Sequence, residues 1–224
     1  MIPQEVLQFR KAYESNIGKY YSGWVHGAFT LCVFLGVMVI CIAKIETDFS
    51  EEWLTVPIVF CIGNLTEYVV HRYPLHHPMG MLAPLFRIHT LQHHQYYTDQ
   101  AMEFESSRDV NMVLFPPFVI IFFAVIFIPV VWLVLNFLVS ANVAYLSCAT
   151  ATFYFLCYEV FHFSHHCPDA SWIAKVPIIA RARRVHRFHH NKRFMSLYNF
   201  NITFPFSDWV FKTEKFELPR GSSS

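Results

Sequence analysis

Four short stretches carry twelve of the chain's thirteen histidines: HRYPLHH at 71–77, HTLQHH at 89–94, HFSHH at 162–166 and HRFHH at 186–190. Only His26 stands apart. One such stretch alone is usually a basic surface loop. Four in one chain point to a shared metal site, because neutral imidazole ligates first-row metals and binding favours the deprotonated ring. A metal also explains RVHRFHHNK (184–192), where three histidines crowd among arginines and a lysine. His162 and His166, four apart, share a helix face and can point at one ion. His89 and His93 have the same spacing, with His94 turned toward a neighbouring ion. His186 precedes His189 by three and His190 by four, while His71 and His76 suit a helix end broken at Pro74. So many nitrogen ligands exceed the coordination of one ion, so two metals are expected. With no thiolate at hand, an all-imidazole shell with open positions suits iron that handles oxygen. Zinc can replace it in purified protein.

Two carboxylates stand beside these histidines. Glu67 precedes His71 by four residues and Glu159 precedes His162 by three. Each lies near the end of an apolar run, where a carboxylate is costly without a partner. Both are expected to accept the far N–H of a ligating imidazole; the alternative is a snorkelling or helix-to-helix hydrogen bond. Asp109 is expected to act in the same way.

The elements that must position these groups are apolar. Hydrophobic residues make up 54% of the 224 and charged residues only 15%, against about 25% in soluble domains. Runs at about 24–43, 53–70, 113–139 and 142–161 are long enough for four membrane spans, the third kinked by Pro129. Of 17 Lys and Arg, 16 fall in the first segment, the 71–112 loop and the C-terminal segment. The opposite turn, 45–52, carries Glu46, Asp48, Glu51 and Glu52. The positive-inside bias therefore places both termini and every histidine stretch in the cytosol, at the endoplasmic reticulum or a bacterial inner membrane. Asn64-Leu-Thr and Asn201-Ile-Thr should then stay unglycosylated. The first apolar run begins too late for a convincing cleavable signal.

A net charge of +1 gives no reason to expect nucleic acid. The six cysteines show no C-x-x-C spacing and read as small buried residues. MGMLAPLFRI (79–88) and WIAKVPIIARARR (172–184) read as interfacial segments that dock a cap on the bilayer, and Tyr20, Tyr21 and Trp24 as an interface belt. The expected fold is all-α and integral to the membrane: four transmembrane helices with a cytosolic, histidine-rich helical cap. It forms one domain over 1–218, with 219–224 an appended tail.

EYVVHRYPLHH, then HTLQHH followed by Asp109 and LFPP, then YEVFHFSHH, then VHRFHH followed by NITFPFSDWVFKT carry a family pattern. In this order, from about Asn64 to Thr213, the chain resembles the fatty acid hydroxylase / sterol desaturase superfamily, and the fatty acid 2-hydroxylase branch in particular. The resemblance implies two irons near the membrane surface and O₂-dependent oxidation of an unactivated C–H bond of a fatty acyl or related lipid. Carried over position by position, it makes ligands of His71, His76, His89, His93, His94, His162, His166, His186, His189 and His190. HFSHH is one residue shorter than the family's form, so either His165 or His166 takes the last position, and helical spacing favours His166. His77 is extra.

No cytochrome b5 domain, haem motif or dinucleotide fingerprint is visible, so electrons are expected from a separate carrier, cytochrome b5-like or ferredoxin-like, with its reductase. Arg181, Arg183, Arg184 and Arg187 form its candidate docking surface, or else meet lipid headgroups. Two other functions compete with hydroxylation: a desaturase on the same site, and a metal-binding membrane protein without redox chemistry. A transporter would need polar groups through mid-membrane depth, and Asn64, Asn136 and Asn142 are the main ones here.

Overall fold

A computed structural model describes residues 2–46 and 51–216. Asp48 and the 219–224 tail lie outside the described residues. The described chain is helical, without a strand beyond one isolated bridge between Thr98 and Ala101. Helix α1 is Gln4–Glu14, α2 Gly23–Ile42 and α3 Glu51–Arg72, which opens with a 3₁₀ turn. Helix α4 begins as Ala83–Ile88, widens into a π-helical turn at His89–His93 and ends at His94–Tyr96. Helix α5 is Pro117–Leu138, α6 Ala141–His166, α7 Pro177–His189 and α8 Phe206–Val210.

Helices α2, α3, α5 and α6 are long and apolar enough to cross a bilayer, which makes this a membrane protein. Two boundaries differ from the sequence reading. The third span starts at Pro117 rather than 113, because Pro116 lacks the N–H a helix interior needs and Pro117 suits a first turn. The fourth does not stop at 161 but continues to His166, carrying three histidines on its last turns. Pro129 is preceded by a π-helical turn, Phe123–Phe127, a loosened stretch beside a residue that cannot donate to the ladder.

The chain sorts into two compact units, and α3 and α6 contribute to both. The unit of 22–63 and 114–160 buries Cys41, Ile128, Cys148 and Ala149 against Val37, Phe123 and Trp132. Phe34, fully buried, meets Phe123 edge-on at 5.8 Å and Phe155 at 5.0 Å. A Cβ added at Gly63 would lie 2.9 Å from Tyr154 Cγ, so only glycine allows α3 and α6 this approach. The exposed turns are clasped by Asn142, which accepts from the Glu46 amide at 2.9 Å and donates to Glu52 at 2.7 Å.

The unit of 2–21, 64–113 and 161–216 packs around Tyr96, Tyr97, Met112 and Val113, with Phe9, Tyr13, Phe104 and Phe163 against them. Arg10, counted in the sequence as a cytosolic cation, is only 4% exposed. It donates to the carbonyls of Tyr96 (2.9 Å) and Ala101 (2.7 Å) and lies over the Tyr96 and Tyr97 rings. α1 is thereby stitched to the end of α4 through a buried guanidinium.

Candidate metal centre

All the clustered histidines except His77 lie buried within the second of these units. Their nitrogens gather in two groups, each with every ligand atom within 4.8 Å of the others. One holds His71, His76, His89, His94 and His189; the other holds His93, His166, His186 and His190. The π-helical turn explains a departure from the spacing argument. His89 and His93 stack at 5.2 Å yet serve different groups, and His94 joins His89 rather than standing apart from it. A π-turn adds a residue to the helical circuit and so shifts neighbouring side chains around the axis. His162 lies beside the second group with Nε2 3.3 Å from that of His93, but outside the mutually close four. His166 is within it, whereas His165 belongs to neither group. His77 is exposed and bonds the Arg72 carbonyl. His26, in the other unit, bonds the Phe115 carbonyl at 3.0 Å.

The outer faces of the rings decide what the inner faces can do. Nδ1 of His71 bonds the Phe200 carbonyl at 2.6 Å, Nδ1 of His189 the Tyr198 carbonyl at 2.9 Å. In the second group His93, His166 and His190 bond the carbonyls of Met112, Met102 and Tyr97 at 2.6, 2.7 and 2.6 Å. A carbonyl only accepts, so each Nδ1 carries the proton and each Nε2 is bare. Thr90 gives its hydroxyl hydrogen to the Leu75 carbonyl at 2.7 Å, so its oxygen accepts from His76 Nδ1 at 3.2 Å. His76 Nε2 is therefore bare as well.

Bare nitrogens then face each other at close range. His76 and His189 Nε2 atoms are 3.1 Å apart, and those of His93 and His190 are 3.2 Å apart. Two lone pairs at that distance repel unless a cation lies between them. The donor set thus fits metal ions in both groups. Burial reinforces it: desolvation holds His93 and His189 down to about 4 and His76 to about 2. His89, His94, His186 and His190 are pushed well below the ordinary value by the same burial, with neighbouring imidazoles adding repulsion. Rings outside the spans are therefore neutral at physiological pH, as ligation requires.

The carboxylates work at one remove. Glu67 was expected to hold an imidazole; its carboxylate grips the loop after α7, accepting from the amides of Ile202 and Thr203 (3.1 Å) and from the Thr203 hydroxyl (2.6 Å). That loop carries the Phe200 carbonyl to His71. Asp109 accepts from the Tyr96 hydroxyl at 2.8 Å and from the Glu105 and Ser106 amides at 2.7 and 2.8 Å. Its own carbonyl accepts from the Tyr97 hydroxyl (2.9 Å), and the Tyr97 carbonyl holds His190. Glu159 receives the Phe115 amide at 3.3 and 3.4 Å.

Sequence reasoning passed over Asp208, which accepts from the Phe200 and Asn201 amides (3.0 and 2.7 Å) and the Thr213 hydroxyl (2.6 Å). The signal was its place in the quoted NITFPFSDWVFKT stretch. The backbone carbonyls that set the tautomers were not legible, since any residue type supplies one. Arg183 needs correction as a docking residue. It is 7% exposed and donates to the carbonyls of Ser164 (2.8 Å) and His165 (2.9 Å) and of Cys167, with Asp169 as its ion-pair partner. It closes the C-terminus of α6, where carbonyls lack helical donors.

The structure is that of a helical membrane protein with two buried histidine groups able to hold metal. The fatty acid hydroxylase family model matches residues 56–213, and the chain belongs to the fatty acid hydroxylase family. It is an oxidoreductase of lipids. The solved structure of full-length Scs7p, with only its hydroxylase domain visible, shares the fold at TM-score 0.60 and 22% identity, over 87% of this chain and 67% of that one. No curated protein matches the chain.

Proposed function

We propose that the chain is an O₂-dependent hydroxylase with a dimetal centre, acting on a fatty acyl or related lipid. The facing bare nitrogens of His76 with His189, and of His93 with His190, carry this reading. One metal is held by His71, His76, His89, His94 and His189. The other is held by His93, His166, His186 and His190, with His162 at its side. Iron at both positions, replaceable by zinc, would supply the activation of O₂ that an unactivated C–H bond demands. Overall, one oxygen atom enters the C–H bond. The other leaves as water, with two electrons and two protons from an external carrier and its reductase.

The chain's own part is positional. Carbonyl-fixed rings hold their Nε2 atoms inward before any ion arrives, which lowers the reorganisation that binding costs. Glu67, Asp109 and Asp208 hold the loops that bear those carbonyls. Burial keeps the rings neutral and excludes water from the oxidising site. Both termini and the centre face the cytosol, on the strength of the Lys/Arg distribution. With Arg183 engaged inside, the carrier's surface is left to Arg181, Arg184 and Arg187, all three of them exposed.

The deciding experiment uses the iron-loaded full chain in lipid nanodiscs, with reduced carrier, deuterated acyl lipids and ¹⁸O₂. Label recovered in a lipid hydroxyl supports the proposal. An unlabelled double bond makes the chain a desaturase on the same site. Lipids left intact while metal is bound would point to a metal-binding protein without redox chemistry.

A further inference from the structure

A pocket of about 200 Å³ lies entirely within the histidine-bearing unit. His165 and His186 line one part of it, and Val185, Ile202, Phe204 and Phe206 supply apolar wall. His186 belongs to the second metal group, so the pocket borders that group. His165 does not belong to it. Its ring is 4.9 Å from that of His186, is 1% exposed, and neither of its nitrogens has a hydrogen-bond partner. Two unsatisfied polar atoms on one buried ring are expensive. The pocket's charged pair, by contrast, is satisfied. Arg181 and Glu214 are 3.2 Å apart, and the other Glu214 oxygen accepts from Trp209 Nε1 at 2.6 Å.

We infer that His165 is a specificity-determining residue, and that this pocket takes the polar end of an acyl-chain lipid bearing a neutral hydroxyl. This rests on the lipid-hydroxylase reading and deepens it. An uncharged imidazole offers one donor and one acceptor on opposite sides of its ring, and a hydroxyl, itself both donor and acceptor, can pair with whichever nitrogen faces the pocket. A carboxylate would find no unpaired cation, because Arg181 is already matched by Glu214. The apolar wall accommodates the adjoining chain, so the hydrogen bond at His165 sets which carbons lie beside the metal group.

The test uses the metal-loaded full chain in nanodiscs and two probes, hexadecanol and hexadecane, each brominated on the chain. Binding is read by quenching of Trp209, with W209F giving the background. Wild-type protein should bind the alcohol about fivefold more tightly than the alkane, as one neutral hydrogen bond predicts. H165L should abolish that ratio with metal per chain unchanged, and H165N should keep part of it. An unchanged ratio in H165L overturns the inference. So does loss of metal in H165L, which would make His165 a ligand. Should H165L fail to fold, I178F narrows the lining and must weaken both probes together; undiminished quenching shows the pocket is not their site. A ratio that depends on His165 without any hydroxylated product would defeat the hydroxylase reading and leave this one standing. Hydroxylation with a ratio indifferent to His165 would do the reverse.

Discussion

The two units bury different chemistry by different means. In 22–63 and 114–160 the interior is made of Phe34, Cys41, Ile128, Cys148 and Ala149, and it closes where Gly63 admits Tyr154. In the other unit the interior holds His71, His94, His166, His189 and His190, with Asp109 and Asp208. The first interior is mostly a matter of shape, since apolar side chains have no partners to find, and buried polar groups such as His26 and Glu159 pair with the backbone of Phe115. The second needs every polar atom assigned, and its backbone carbonyls do most of the assigning. The inward Nε2 atoms of the two histidine groups are left facing one another, and both nitrogens of His165 are left without a partner. A gap in a buried polar network points to what could fill it.

Stripping metal with a chelator should separate the units most sharply. The histidine-bearing unit should lose protection from hydrogen exchange broadly, because structural metal binding is worth on the order of 10 kcal/mol. Exchange in 22–63 and 114–160 should change little, and equal loss in both would break the contrast. H190A should likewise lower bound metal to about one ion per chain or fewer, read by elemental analysis.

Acid should give the next largest effect. The metal-free rings outside the spans, exemplified by His93 and His189, have folded values near 4 against an ordinary 6.5. Their unfolded forms take protons first as pH falls. Stability is therefore complete above 6.5 and is lost as pH drops toward 4. Thermal melts of metal-free protein at pH 7, 5.5 and 4 should fall in that order, and a flat series would contradict it.

D109N should cost about 2 kcal/mol by removing charge from a carboxylate that accepts several donors. It should also weaken metal binding at the group containing His190. If metal affinity stays at the wild-type value, the chain from Asp109 through Tyr97 to His190 has no functional weight.

The smallest effect belongs to the apolar unit. G63A should destabilise by about 1 kcal/mol net, the crowding against Tyr154 partly offset by better helix propensity. Metal per chain should not change. A drop in metal after G63A would show that packing in that unit also governs the centre.

Much was readable in one dimension. Four apolar runs announced four spanning helices because a bilayer demands continuous hydrophobicity. Twelve clustered histidines announced metal because nothing else in a chain this apolar gathers so many imidazoles. Their division into groups was harder to read. Spacing paired His89 with His93, whereas the π-turn sends them to different groups. Arg183 read as a surface cation and proved to be the cap of α6.

The composition and order of the residues by themselves determined the class: helical, membrane-bound and rich in imidazole. Those properties are local or additive, so each residue contributes wherever the chain goes. Tertiary structure alone decided which nitrogen carries the proton on the carbonyl-bonded rings, which rings gather into one group, and that His165 borders a pocket. Each of these depends on a partner far along the chain, often a peptide carbonyl, and a carbonyl has no side chain by which the sequence could mark it.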